Sequence, residues 1–230
     1  MNMKQVFLRR VEGASDLLLF FAGWGAEPGM FKYDELTDGS GTSDVMMCWD
    51  YRDLDFDAGV LEGYSTTRVL AWSMGVWVAG QVLSGLDMAP GYRVAVNGTP
   101  FPIHDSLGIP EAVFDGTLAM LSDKTLNKFR RRMCGSAEAF ERLMSCSLSR
   151  TLEEQREELD ALGKAVRGNR PRPFAWTHAV AGLEDMIFPA ANQKAAWAAA
   201  GVPVSVLDIP HWSKDILRKL IYLDNTWTNS

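Results

Sequence analysis

The chain has 230 residues, 47% hydrophobic and 23% charged, ordinary globular proportions that exclude a fibrous or intrinsically disordered protein. Its formal net charge of −6 argues against a surface built for general nucleic-acid binding. No apolar run approaches the roughly 20 residues that span a bilayer. Residues 1–11 lack the hydrophobic stretch of a signal peptide. Cys48, Cys134 and Cys146 are too few and too scattered for a disulfide framework or a zinc site. These bounds predict a soluble protein of the reducing cytoplasm with no membrane or nucleic-acid partner.

In chain order, apolar runs bounded by Gly, Asp and Pro predict strands over 5–10, 16–22, 45–49, 68–72 and 93–97. After the fourth, Val76, Ala79, Gly80 and Leu83 recur at the spacing of one helix face. Strand, tight turn, helix and strand make a βαβ unit, so an α/β fold with a mainly parallel sheet is expected. From 103 to 172 the pattern turns helical, with segments at 111–121, 125–133, 137–144 and 151–166. In the last, Leu152, Leu159, Leu162 and Val166 form the apolar side, and Glu153, Glu154, Glu157 and Glu158 are assigned off it. Strands resume at 174–180 and 203–209 around a helix at 192–200, and 214–223 closes the chain as a helix. The expected organisation is a core of 1–102 and 173–230 interrupted by a helical cap at 103–172.

The sharpest local signal is Ala71-Trp72-Ser73-Met74-Gly75. It is a G-x-S-x-G nucleophile elbow with Ala in the first small position, set between a predicted strand and a predicted helix. Small residues flank the serine because that turn is tight, and the turn lifts Ser73 Oγ clear of the sheet. A serine hydroxyl needs a base, and its tetrahedral intermediate needs an oxyanion hole. The N–H of Met74 and that of Trp24, in Phe21-Ala22-Gly23-Trp24-Gly25 after the second strand, are the candidate donors.

Three histidines could supply the base. His211 follows the last predicted strand, in a position to reach over the sheet edge. His178 lies within a strand and reads as a hydrogen-bonded core residue, while His104 opens the insertion ahead of any acid that could orient it. Glu184 and Asp185 follow the preceding strand, and Asp185, nearer the Ile187-Phe188-Pro189 turn, is preferred. The order Ser73, Asp185, His211 is that of an α/β-hydrolase. No phosphate-cradling loop, dinucleotide fingerprint or metal-spaced cluster is present, so neither cofactor nor metal is expected. Asp50–Asp57 reads as a solvated acidic loop, the cysteines as inert thiols, and Trp77, Trp176 and Trp197 as packing residues.

Taken together these residues resemble the BioG-type pimeloyl-[acyl-carrier protein] methyl ester esterases, which have the α/β-hydrolase fold. The similarity rests on Ala22-Gly23-Trp24-Gly25, Cys48-Trp49-Asp50-Tyr51-Arg52-Asp53-Leu54, the run from Ala71 to Trp77, and Ala95-Val96-Asn97-Gly98-Thr99. It continues through Gly108-Ile109-Pro110, Cys134-Gly135, Asn192-Gln193 and His211-Trp212. Phe101-Pro102 and His104 depart from the pattern at the pocket rim.

The resemblance implies hydrolysis of the methyl ester at the far end of a pimeloyl chain carried on acyl-carrier protein. Ser73 would attack, His211 would act as base and then acid, Asp185 would orient it, and Trp24 and Met74 would hold the oxyanion. Trp72 and Trp212, beside nucleophile and base, would touch the acyl chain. Carrier proteins are acidic, and residues 124–142 set six basic residues against Glu138 and Glu141. Screening over ~8 Å lets such a local patch outweigh the total charge, and Arg131 and Arg132 are the docking candidates. A general short-chain carboxylesterase, a carbon–carbon bond hydrolase and a catalytically silent binding protein remain the alternatives.

Overall fold

A computed structural model describes residues 3–31 and 41–222. Seven strands form one sheet: β1 (Lys4–Arg9), β2 (Asp16–Phe21), β3 (Asp44–Trp49), β4 (Thr66–Trp72), β5 (Arg93–Val96), β6 (His178–Gly182) and β7 (Val204–Leu207). Their spatial order is β1-β3-β2-β4-β5-β6-β7. Only β1 runs antiparallel to its neighbour. Leu17 to Phe21 of β2 are buried without a break, as a strand covered on both faces requires. Ala22 N–H extends the register by donating to Cys48 O at 3.0 Å.

Helix α1 (Gly75–Leu83) follows β4 directly. Four helices, α2 (Glu111–Ala119), α3 (Asp123–Cys134), α4 (Ala137–Met144) and α5 (Leu152–Gly168), stand between β5 and β6, where the helical segments were expected. Capping boxes at Ser122/Thr125 and Thr151/Glu154 start α3 and α5 by satisfying N-terminal amides. Helix α6 (Ala190–Ala200) links β6 to β7, and α7 (Lys214–Tyr222) closes the described chain; Leu223, expected to end it, lies outside the described residues. Among the described residues no helix is long and apolar enough to cross a membrane.

Three expectations need correction. The strand expected at 174–180 begins only at His178, because Trp176 N–H turns back to Phe174 O at 2.9 Å instead of joining the ladder. Glu158, assigned to the exposed side of α5, is wholly buried: the inward stripe is Gln155, Glu158, Leu159 and Leu162. Asp50, assigned to a solvated loop, is 3% exposed and paired with Lys4, Arg52 and Arg150. Of the packing tryptophans, Trp77 and Trp197 are buried, and Trp176 lies half-buried edge-on to Trp197.

Candidate active site

The carboxyl ends of β4, β6 and β7 bring Ser73, Asp185 and His211 together. Ser73 sits at φ 61°, left-handed for a non-glycine residue, on the turn between β4 and α1. The turn requires a residue without a side chain two positions after the serine. A Cβ on Gly75 would meet the carbonyl oxygens of Phe21 and Ala22, both at 2.4 Å. Ser73 N–H is fixed by Val96 O at 3.0 Å.

His211 Nε2 lies 2.9 Å from Ser73 Oγ, and its Nδ1 lies 2.8 Å from Asp185 Oδ2. The carboxylate can only accept, which assigns the proton to Nδ1 and leaves Nε2 facing the serine hydroxyl. Asp185 is itself held. Its Oδ1 accepts from the Ile187 and Phe188 amides, both at 2.8 Å, and its Oδ2 from Gln193 Nε2 at 3.0 Å. The Phe188 ring stacks on the imidazole at 5.8 Å with planes 3° apart. All three side chains are buried, which strengthens each polar contact relative to water.

Glu184, the alternative acid, is exposed beside the buried Asp185. His104 turns to Ser106, and His178 lies half-buried against Ser205 Oγ at 2.9 Å. Burial lowers the pKa of His178, and neither histidine meets Ser73.

Ser73 and His211 open on a cavity lined by Trp24, Met74, Phe114, Phe129 and Leu159 among others. The volume open to a water-sized sphere is small, about 40 Å³. Trp24 lies edge-on to Phe129, with ring centroids 5.0 Å apart. Neither the Trp24 nor the Met74 N–H is taken by another described residue. Trp72 lines the cavity, whereas Trp212 is 1% exposed and does not. Its backbone N–H donates to Met133 O at 2.9 Å, which ties the histidine loop to α3.

Val113, Thr117, Phe129 and Arg132 line both this cavity and an outer groove that Lys128 and Arg131 also border. Arg131 and Arg132 are exposed, and Arg130 turns inward toward Gln155. Arg131 also lies over the Phe140 ring at 4.1 Å. Cys48 and Cys134 are buried free thiols; burial pushes Cys48 far up and Cys134 up to about 12.

Three further residues that sequence reasoning left without a role hold the site. Gln193 fixes Asp185, as described above. Asn97 Nδ2 donates to Pro210 O and His211 O at 2.9 and 3.0 Å, while its Oδ1 accepts from Gly182 N–H at 2.7 Å. Glu158 reaches from α5 to the Trp24 loop. An Asn immediately after a buried strand is a signal for the second; a carboxylate among charged helix residues is none for the third.

A family model described as "Pimeloyl-ACP methyl esterase BioG" matches residues 3–215. A malonyl-[acyl-carrier protein] O-methyltransferase of Bacteroides fragilis (strain 638R) is 43% identical over 204 residues, which are 89% of this chain and 41% of that protein. The chain thus spans about two fifths of that relative's length. The crystal structure of BioG from Haemophilus influenzae superposes with a TM-score of 0.82 at 36% identity, covering 96% of this chain and 100% of that one. A lipase-esterase related protein from Clostridium acetobutylicum, 11% identical with a TM-score of 0.62 over 90% of this chain and 91% of its own, shares the fold. The fold is that of the α/β-hydrolases, and the chain belongs to the BioG family.

Proposed function

We propose that this chain is a serine esterase that hydrolyses the methyl ester of pimeloyl-[acyl-carrier protein], releasing methanol and the free carboxylate. The observation that carries the reading is the unbroken hydrogen-bonded line from Ser73 Oγ through His211 to Asp185 at the floor of a largely apolar cavity. Ser73 Oγ attacks the ester carbonyl while Nε2 takes its proton. Asp185 stabilises the resulting imidazolium, and the Trp24 and Met74 N–H groups donate to the developing oxyanion. The imidazolium then protonates the departing methoxide. Water, deprotonated by the same nitrogen, releases the acid from the acyl-enzyme.

The cavity walls suit a methylene chain, with Trp72 as one contact, and residues 103–172 act as a cap over it. The outer groove, bordered by Lys128, Arg131 and Arg132, would receive the carrier end of the substrate. The reading needs no cofactor or metal.

The test is direct. Purified protein incubated with pimeloyl methyl ester on carrier protein should yield methanol and the free acid, and Ser73→Ala should reduce turnover to background. A fluorophosphonate should label Ser73. Equal efficiency on short free esters would replace the substrate assignment with a general carboxylesterase. No labelling of the folded protein would favour a silent binding protein.

A further inference from the structure

We propose that Glu158 of α5 is a positioning residue that sets the oxyanion loop at Trp24 from the cap, an inference that rests on the esterase reading. Its carboxylate is 0% exposed, and the groups bonded to it are all donors. Oε2 accepts from Gly25 N–H at 3.0 Å and from Arg150 Nη1 at 2.6 Å, and Oε1 accepts from Tyr51 N–H at 2.9 Å. Burial raises this carboxyl's pKa, against the smaller opposing pull of Arg150 and the two amides.

Trp24 is thereby fixed on each side. One turn before Glu158 along α5, Gln155 O accepts from Trp24 Nε1 at 2.7 Å. The peptide after Trp24 is held by Glu158 through Gly25 N–H. On the strand side, Tyr51, whose N–H the same carboxylate fixes, donates its hydroxyl to Ala22 O at 2.8 Å. Further along the loop, Glu27 accepts from Ser149 N–H and Oγ, both at 2.7 Å. The ends of β2 and β3 and the cap therefore converge on one carboxylate.

A buried ion pair is a poor source of stability compared with apolar packing, but it specifies geometry. An oxyanion donor displaced by a fraction of an ångström loses much of its effect. Glu158 touches no reacting atom, so its effect must pass through Trp24.

Glu158→Gln keeps the shape but presents an amide donor to donors. The measurement compares kcat and KM on a short methyl ester with those on the matching thionoester, whose sulfur is a weaker hydrogen-bond acceptor and therefore reports on the oxyanion hole. The expected result is a kcat loss of about 10- to 100-fold on the oxygen ester, KM within about threefold, and a narrowed oxygen-to-sulfur preference. Glu158→Asp, which keeps the charge beside Arg150 but cannot span both amides, should shift the ratio in the same direction and serves if the Gln variant does not fold. A folded variant with the wild-type ratio overturns the positioning role, as does failure of both variants to fold, which would assign Glu158 to stability alone. Wild-type protein that is neither labelled at Ser73 nor active would overturn the esterase reading, and this inference with it.

Discussion

Trp72 donates its indole N–H to the carbonyl oxygen of His211 at 2.8 Å, so the residue before the proposed nucleophile holds the loop of the proposed base. The indole also lies 5.3 Å from the imidazole, centroid to centroid. Trp72→Phe keeps most of that packing and removes the donor, while Asn97 still satisfies the His211 carbonyl. Stability should fall by about 1–3 kcal/mol, from the lost bond and the space the smaller ring leaves, and kcat should fall about tenfold as the imidazole loosens. Urea titration beside steady-state kinetics on folded protein checks this, and an unchanged kcat would remove the positioning role.

Asn97 makes the same point more strongly. Asn97→Asp keeps the acceptor for Gly182 N–H but turns an oxygen toward the carbonyls of Pro210 and His211. Removing two buried bonds and opposing like partial charges should destabilise by about 2–4 kcal/mol. A thermal midpoint within a degree of the wild type would contradict it.

The elbow depends on backbone approach as well as on the serine. A Cβ on Gly98 would lie 2.3 Å from Ser73 O, which can move only if the nucleophile turn moves. Gly98→Ala should therefore reduce kcat at least about 100-fold. Gly116, inside α2, has nothing within 4 Å of the added atom, so Gly116→Ala should stabilise by roughly 0.5–1 kcal/mol. Denaturation curves of the two variants should move in opposite directions.

These particular residues show what the sequence could and could not disclose. Leu17 to Phe21 read as a central strand because burial on both faces leaves no polar alternation to misread. Ser73, Asp185 and His211 were legible because a strained turn and a fixed chain order constrain residue types. Glu158 was hidden, since a lone carboxylate on a charged helix carries no sign that Arg150, Gly25 and Tyr51 will close around it. Trp212 shows a similar limit. Adjacency to the base along the chain does not fix which rings reach the cavity: Trp72 lines it, and Trp212, buried to the same degree, is not among its lining residues.

Arg131 and Arg132 border the outer groove and are exposed, while Arg130 faces Gln155. If they meet an acidic carrier, reversing both to Glu should lower kcat/KM on the carrier-bound ester about tenfold or more at low salt. The difference should shrink as ionic strength rises and the screening length falls to ~3 Å near 1 M. An unchanged rate at low salt would remove these two residues from the docking surface.

Asp50 allows a signed prediction about acid stability. It sits at φ 59°, with Arg52 Nη2 at 2.7 Å, Lys4 Nζ at 3.0 Å and Arg150 Nη2 at 3.3 Å. Burial pushes its carboxyl up, but the bonds from Arg52 and Lys4 and the charge of Arg150 outweigh that and hold it at about 2. In the unfolded chain the same group titrates near ~3.9. Because the folded value is the lower one, its stabilisation is fully present above about pH 4 and is lost as pH falls through about 2. Asp50→Asn tolerates the left-handed backbone and should lower the urea midpoint at pH 7, where it leaves Arg150 and Arg52 each short of a partner. Between about pH 4 and 2 the variant's midpoint should fall less steeply than the wild type's, so that the two curves converge. Parallel curves across that window would mean that Asp50 titrates alike in both states, and that the three cations do not hold it ionised.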